Sequence, residues 1–111
     1  MTILDQIVAD KKEEIAHAEE RVPLERLQAH IATASWVQRG FYRRLKAPGP
    51  GGVNVIAEIK RASPSKGDIC KDLKAGESAA EYEAGGAAAI SVLTDAPYFK
   101  GSLPHLREVR R

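Results

Sequence analysis

Val53-Asn54-Val55-Ile56-Ala57-Glu58-Ile59-Lys60 is the stretch on which the fold turns. It is rich in β-branched residues, which suit a pleated surface, so it reads as a strand. Side chains alternate along a strand, so Glu58 and Lys60 project from one face and Val55, Ala57 and Ile59 from the other. Upstream, Lys46-Ala47-Pro48-Gly49-Pro50-Gly51-Gly52 cannot continue a helix and reads as a loop. Downstream, Ser63-Pro64-Ser65-Lys66-Gly67-Asp68 is a turn-forming segment. Residues 76–84 then form a helix that stops at Gly85-Gly86. Ala87-Ala88-Ala89-Ile90-Ser91-Val92-Leu93-Thr94 reads as a second, buried strand. A helix between two strands is the crossover that parallel strands require.

On the N-terminal side, residues 3–20 read as an amphipathic helix. Ile3, Leu4, Ile7, Val8 and Ile15 recur at helical spacing, and Thr2 with Asp5 three residues on resembles a capping box. Pro23 suits the first turn of a second helix in which Leu24, Leu27 and Ile31 share a face. A short third helical piece covers 40–46. After the second strand comes the loop Asp95-Ala96-Pro97-Tyr98-Phe99-Lys100-Gly101, and Ser102 can cap a last helix carrying Leu103, Leu106 and Val109. The predicted organisation is α/β: a helical extension over 1–47, then β-α-β-α with parallel strands over 53–111. Two parallel strands leave two open edges, and the sequence stops at Arg111 without a closing strand. The expectation is therefore part of a larger parallel fold; a compact fold with a self-paired or oligomeric edge is the alternative.

The 111 residues, 43% hydrophobic and 29% charged, predict a globular domain that buries a real core. Seventeen basic residues against 15 acidic give a net charge of +2, without the concentrated positive patch of a nucleic-acid binder. Arg43-Arg44-x-Lys46 and Arg107…Arg110-Arg111 read as solvated helix faces. Cys70 has no internal partner, which fits a reducing cytoplasm, and nothing around it suggests an activated thiol. The N-terminus does not read as a signal peptide. No stretch approaches the roughly 18 apolar residues of a membrane span.

Glu58 and Lys60 are the most informative pair. A carboxylate and an ammonium are unexpected in an apolar strand unless they pair or reach a polar site. They lie at the strand's carboxyl end, where parallel α/β folds place their active sites. A lysine there can donate a proton or hold an anion, and a glutamate can orient it or act as base. A structural salt bridge explains the same spacing, and spacing alone does not choose. Ser63-Pro64-Ser65-Lys66-Gly67 could cradle an anion or be a plain turn. Asp95, Tyr98 and Phe99 occupy the corresponding loop after the second strand, where an aromatic could meet an aromatic substrate or simply pack on the neighbouring loop. His17, His30 and His105 have no partner at a metal-ligand spacing and read as surface residues. Trp36 and Tyr42 are expected to pack the helical extension onto the core.

Together these segments resemble the indole-3-glycerol phosphate synthases. The resemblance is carried by Val55-Ile56-Ala57-Glu58-Ile59-Lys60-Arg61-Ala62-Ser63-Pro64-Ser65-Lys66-Gly67, by residues 80–95, and by Tyr98-Phe99-Lys100-Gly101-Ser102. Ile3-Leu4-Asp5-Gln6-Ile7-Val8-Ala9-Asp10-Lys11-Lys12 is similar to the family's extra N-terminal helix, so the likeness covers nearly the whole chain. The Glu-x-Lys-x-x-Ser-Pro-Ser run is its most specific part.

The resemblance implies the N-terminal part of a (βα)8 TIM barrel. It implies a lyase of tryptophan biosynthesis acting on a small phosphorylated substrate, without metal or organic cofactor. Such enzymes convert 1-(2-carboxyphenylamino)-1-deoxyribulose 5-phosphate into indole-3-glycerol phosphate, releasing carbon dioxide and water. By position, Lys60 would contact the substrate's anionic groups and assist proton transfer, with Glu58 orienting it. Ser63 would lie beside the substrate and Phe99 would line the pocket. Family members continue into a third strand with the main catalytic lysine, then a later strand with a catalytic glutamate. Those positions lie outside this sequence, so the 111 residues alone are expected to show little or no activity. The other reading is a non-catalytic remnant that associates with itself or with another barrel segment. A related isomerase barrel of the same pathway would leave the Glu-x-Lys-x-x-Ser-Pro-Ser run unexplained.

Overall fold

The computed structural model describes residues 1–111, which divide into two compact units, Met1–Gln38 and Arg39–Arg111. The first unit holds two helices. Helix α1 (Ile3–Arg21) starts with the expected capping box: the Thr2 hydroxyl accepts from the Asp5 amide at 3.1 Å, and the Asp5 carboxylate accepts from the Thr2 amide at 2.8 Å. This satisfies two amides that a helix start otherwise leaves without partners. Helix α2 (Leu24–Thr33) begins one residue later than expected, with Pro23 extended at the N-cap. Leu24, Leu27 and Ile31 share a face but remain exposed. No helix is long and apolar enough to cross a membrane.

The second unit opens with α3 (Phe41–Lys46), preceded by Gly40 in the left-handed region (φ 73°). A 3-10 turn at Pro50–Gly52 follows. Strand β1 is then Ile56–Ile59, shorter than the expected run from Val53 to Lys60. Asn54 accounts for part of the shortening, because its side chain serves α3. Its Nδ2 donates to the carbonyls of Leu45 at 3.0 Å and Ala47 at 2.7 Å, which α3 leaves without helical partners. The turn segment after β1 is a small hairpin. Strand β2 (Ala62–Ser63) pairs antiparallel with β3 (Gly67–Asp68), Ala62 opposite Asp68 and Ser63 opposite Gly67.

Helix α4 (Ala75–Ala84) ends at Gly85 and Gly86, the latter at φ 98°, where a side chain would be strained. Strand β4 (Ala89–Val92) returns parallel to β1 with Ile56 opposite Ala89, Glu58 opposite Ser91 and Ile59 opposite Val92. Helix α5 (Leu103–Arg110) closes the sequence. Ser102 stands at its N-cap without a side-chain capping bond, so its expected capping role is positional only. The helix–strand order of the expectation is thus observed, with parallel strands.

The expected core is present but small. Only Ile59, Ala62, Ala75 and Ala79 are buried apolar residues, and no large side chain is fully buried. Ile59 (3% exposed) meets the Ala75 and Ala79 face of α4, with Leu73, Ile90 and Val109 around them. The physical reason lies in the sheet. Two strands present one small patch to α4, against which α5 packs in turn, and the alanines of α4 allow close approach but bury little area. Ile56 at the start of β1 and Val55 just before it are both exposed. Trp36 and Tyr42, expected to be core-packing residues, are 60% and 75% exposed; Tyr42 instead has the Lys46 ammonium 5.6 Å from its ring centre. His17 and His30 are exposed as expected, whereas His105 is half-buried.

Candidate active site at the strand ends

Lys60 follows β1 directly, and its Nζ lies 2.9 Å from Oε1 of Glu58. The strand period brings them together: two residues apart, they leave the backbone on the same face. Their side chains are 34% and 46% exposed respectively, so the pair is reachable from solvent while tied to a rigid strand. The Glu58 carbonyl, on the other hand, meets the Tyr82 hydroxyl at 3.5 Å, which links this end of β1 to α4.

Ser63 is the buried polar residue of the site, 9% exposed. Its hydroxyl accepts from the Lys66 amide at 3.1 Å and lies 3.5 Å from the Ser65 hydroxyl. The hairpin thus holds two hydroxyls and a backbone amide in one turn. Arg61 pins both legs of this loop. Its carbonyl accepts from the amides of Ile69 at 2.8 Å and Cys70 at 3.0 Å, and its guanidinium donates to the Leu73 carbonyl.

Phe99 is half-buried in the loop after β4. The loop is organised by Asp95, whose carboxylate accepts from the Tyr98 amide at 2.7 Å and the Phe99 amide at 3.2 Å. The Asp95 carbonyl accepts from Gly101 at 2.7 Å. Asp95 is therefore the scaffold of its loop, a role that a turn-forming residue three and four positions before the amides it accepts can fill.

Three of the four residues singled out from sequence, Glu58, Lys60 and Ser63, lie within one short run at the end of β1. Phe99 enters from the loop after β4 and makes no polar contact with them. What joins the two loops is a pair that the sequence did not single out. The Lys100 ammonium, next to Phe99, hydrogen-bonds the carboxylate of Asp68, next to Ser63's cross-strand partner. Lys71 reaches the other oxygen of Asp68 at 3.7 Å. The Lys100 hydrogen bond holds the Asp68 carboxyl below the usual carboxylate range, against a smaller opposing effect of desolvation, and Lys71 acts in the same direction. No group of three or more His, Cys, Asp or Glu side chains could hold a metal ion.

Parallel strands joined through a helix, with a Lys–Glu pair and a buried serine at the carboxyl end of the first, define an α/β protein with a candidate site in the loops that follow its strands. Within that class the chain belongs to the indole-3-glycerol phosphate synthase family, whose model matches residues 4–111. It is 54% identical over 110 residues to the indole-3-glycerol phosphate synthase of Desulfosudis oleivorans, an alignment covering 98% of this chain and 41% of the relative. The enzymes of that name from Rhodopirellula baltica and Leptothrix cholodnii are each 48% identical, over 99% and 97% of this chain and 41% of each relative. The chain therefore spans about 41% of the length of these relatives.

Proposed function

We propose that residues 1–111 form the helical extension and first two βα units of a (βα)8 barrel that acts as an indole-3-glycerol phosphate synthase in the cytoplasm. The reaction is ring closure of 1-(2-carboxyphenylamino)-1-deoxyribulose 5-phosphate, with loss of carbon dioxide and water and no metal or organic cofactor. The observation that carries this reading is the solvent-reachable Lys60–Glu58 pair, 2.9 Å apart at a strand's carboxyl end. A fixed ammonium there can bind the carboxylate or phosphate of the substrate and supply a proton, while Glu58 holds it in place. Ser63 and the amides of its hairpin contribute hydrogen bonds to the same anionic substrate. Phe99 offers an apolar ring to the substrate's aromatic ring.

The same reading assigns little or no turnover to residues 1–111 by themselves. General acid, phosphate and ring contacts must converge from more strands than the two parallel ones described here. The small core and the exposed Val55 and Ile56 support a surface that other barrel segments cover, either further along one polypeptide or in a second chain. The test is a fluorescence assay for indole-3-glycerol phosphate, run with the polypeptide that carries this segment and with residues 1–111 alone. Turnover by the former and none by the latter is expected. Absence of turnover by the former would overturn the synthase assignment, and turnover by the latter the claim of incompleteness.

A further inference from the structure

We propose that Asp68 and Lys100 form an ionic latch between the two loops that follow the parallel strands, and that both are positioning residues for the Ser63–Phe99 region of the site. Three observations carry it. First, the pair spans 32 residues of sequence, and it joins a loop organised by Ser63 and Arg61 to one organised by Asp95. Secondly, each partner stands beside a site residue. Asp68 pairs across the hairpin with Ala62, the neighbour of Ser63, and Lys100 directly follows Phe99. Thirdly, Lys100 is the chain's single non-glycine residue at positive φ, 53°, a conformation that Gly, Asn or Asp adopts more readily than lysine. A lysine kept in that conformation places its ammonium on Asp68, which a glycine could not do.

The pair is well solvated, with side-chain exposures of 61% for Lys100 and 32% for Asp68. An exposed ion pair adds little to global stability and is weakened by salt. Its effect is therefore local. Each loop is already closed by its own hydrogen bonds, and the latch restricts how one moves relative to the other. Lys71, on the same loop as Asp68, neutralises the second carboxylate oxygen without linking the loops.

The positioning role rests on the synthase reading above, whereas the latch itself is tested without catalysis. Amide exchange is measured by NMR on the polypeptide that carries this segment, at Lys66 in the first loop and Gly101 in the second. Asp68→Asn and Lys100→Gln are each expected to speed exchange in both loops about two- to five-fold. The double variant should be no faster than either single one, and the exchanged pair Asp68→Lys with Lys100→Asp should restore slow exchange. Lys100→Arg should behave as the unsubstituted protein, and so should Lys71→Gln. Effects confined to the substituted loop, additive effects in the double variant, or no restoration by the exchanged pair would each overturn the latch. In steady-state kinetics the two single variants should raise KM a few-fold with kcat nearly unchanged, and the exchanged pair should restore KM. A fall in kcat at constant KM would overturn the positioning role. A polypeptide that shows the exchange pattern but no synthase turnover would retain the latch and remove the reading on which its positioning role depends.

Discussion

Gly101 lies so close to the carbonyl oxygen of Leu93 that a Cβ built on it would sit 1.9 Å away. Real side chains essentially never approach backbone oxygen that closely, so the loop after β4 can pass the end of its own strand only because position 101 lacks a side chain. Gly101→Ala is expected to destabilise the protein by about 1–3 kcal/mol, the usual cost of forcing extra volume into a filled site. Urea unfolding checks the magnitude. The loop must also move away from β4, so the Phe99 and Lys100 resonances should shift more than those of α5. An alanine variant as stable as the parent, with unmoved resonances, would contradict the close approach.

Lys60→Ala and Glu58→Gln separate chemistry from stability. A half-exposed ion pair contributes about 1 kcal/mol or less, so both variants should remain folded. If Lys60 assists proton transfer, turnover by the polypeptide that carries this segment should drop by about 10²- to 10⁴-fold in Lys60→Ala, and less in Glu58→Gln, which keeps a hydrogen-bonding group beside the ammonium. Near-parental turnover in Lys60→Ala would return the pair to the status of a structural salt bridge.

Asn54 is expected to be worth more than its place before a short strand suggests. Its amide donates to the Leu45 and Ala47 carbonyls, and its oxygen accepts from Arg44 at 3.2 Å. Asn54→Ala removes all three bonds and leaves the end of α3 without its partner. A loss of about 1–3 kcal/mol in denaturant unfolding is expected. Asn54→Asp should also destabilise, because a carboxylate cannot donate to two carbonyls.

The capping box of α1 carries a pH dependence of definite sign. The hydrogen bond from the Thr2 amide, and then that from its hydroxyl, hold the Asp5 carboxyl below its ordinary value, slightly opposed by desolvation. A depressed folded value means that the cap's contribution is fully present above the ordinary carboxylate range and is lost as pH falls through the depressed value. Helicity of α1, followed by circular dichroism and by NMR shifts of residues 3–8, should decline over that acidic window. Asp5→Asn should show lower helicity near neutral pH and a flatter acid profile. Identical acid profiles for the two proteins would remove Asp5 as the source.

Glu58 and Lys60 are legible in the sequence because their partnership is two residues long and depends only on alternation. Ser63 was readable for a similar reason: its turn is local. The hairpin around it was not, since strands of two residues such as Ala62–Ser63 and Gly67–Asp68 are too short to show a pattern. The Asp68–Lys100 pair is not legible in the sequence, because nothing local to either residue announces a partner 32 positions away. The small size of the core is illegible on different grounds. Apolar composition reports how much surface a chain would bury if covered, and Val55, Ile56 and Tyr82 show how much of it these elements leave uncovered. From sequence Asp95 reads only as a companion of Phe99, whereas its carboxylate builds that loop.

Strand β1 hydrogen-bonds to β4 along one side only. The amides and carbonyls of its other side lie in a stretch that includes the exposed apolar residues Val55 and Ile56. Such a flank is a template for intermolecular stacking, and short β-branched segments of this kind can seed fibrils when copies meet. The charged Glu58 and Lys60 break the apolar run in the way that gatekeeper residues do. The residues assigned to chemistry thus also bear on colloidal behaviour. Neutralising both should make isolated 1–111 precipitate at lower concentration, and chaperone demand during synthesis would rise with it.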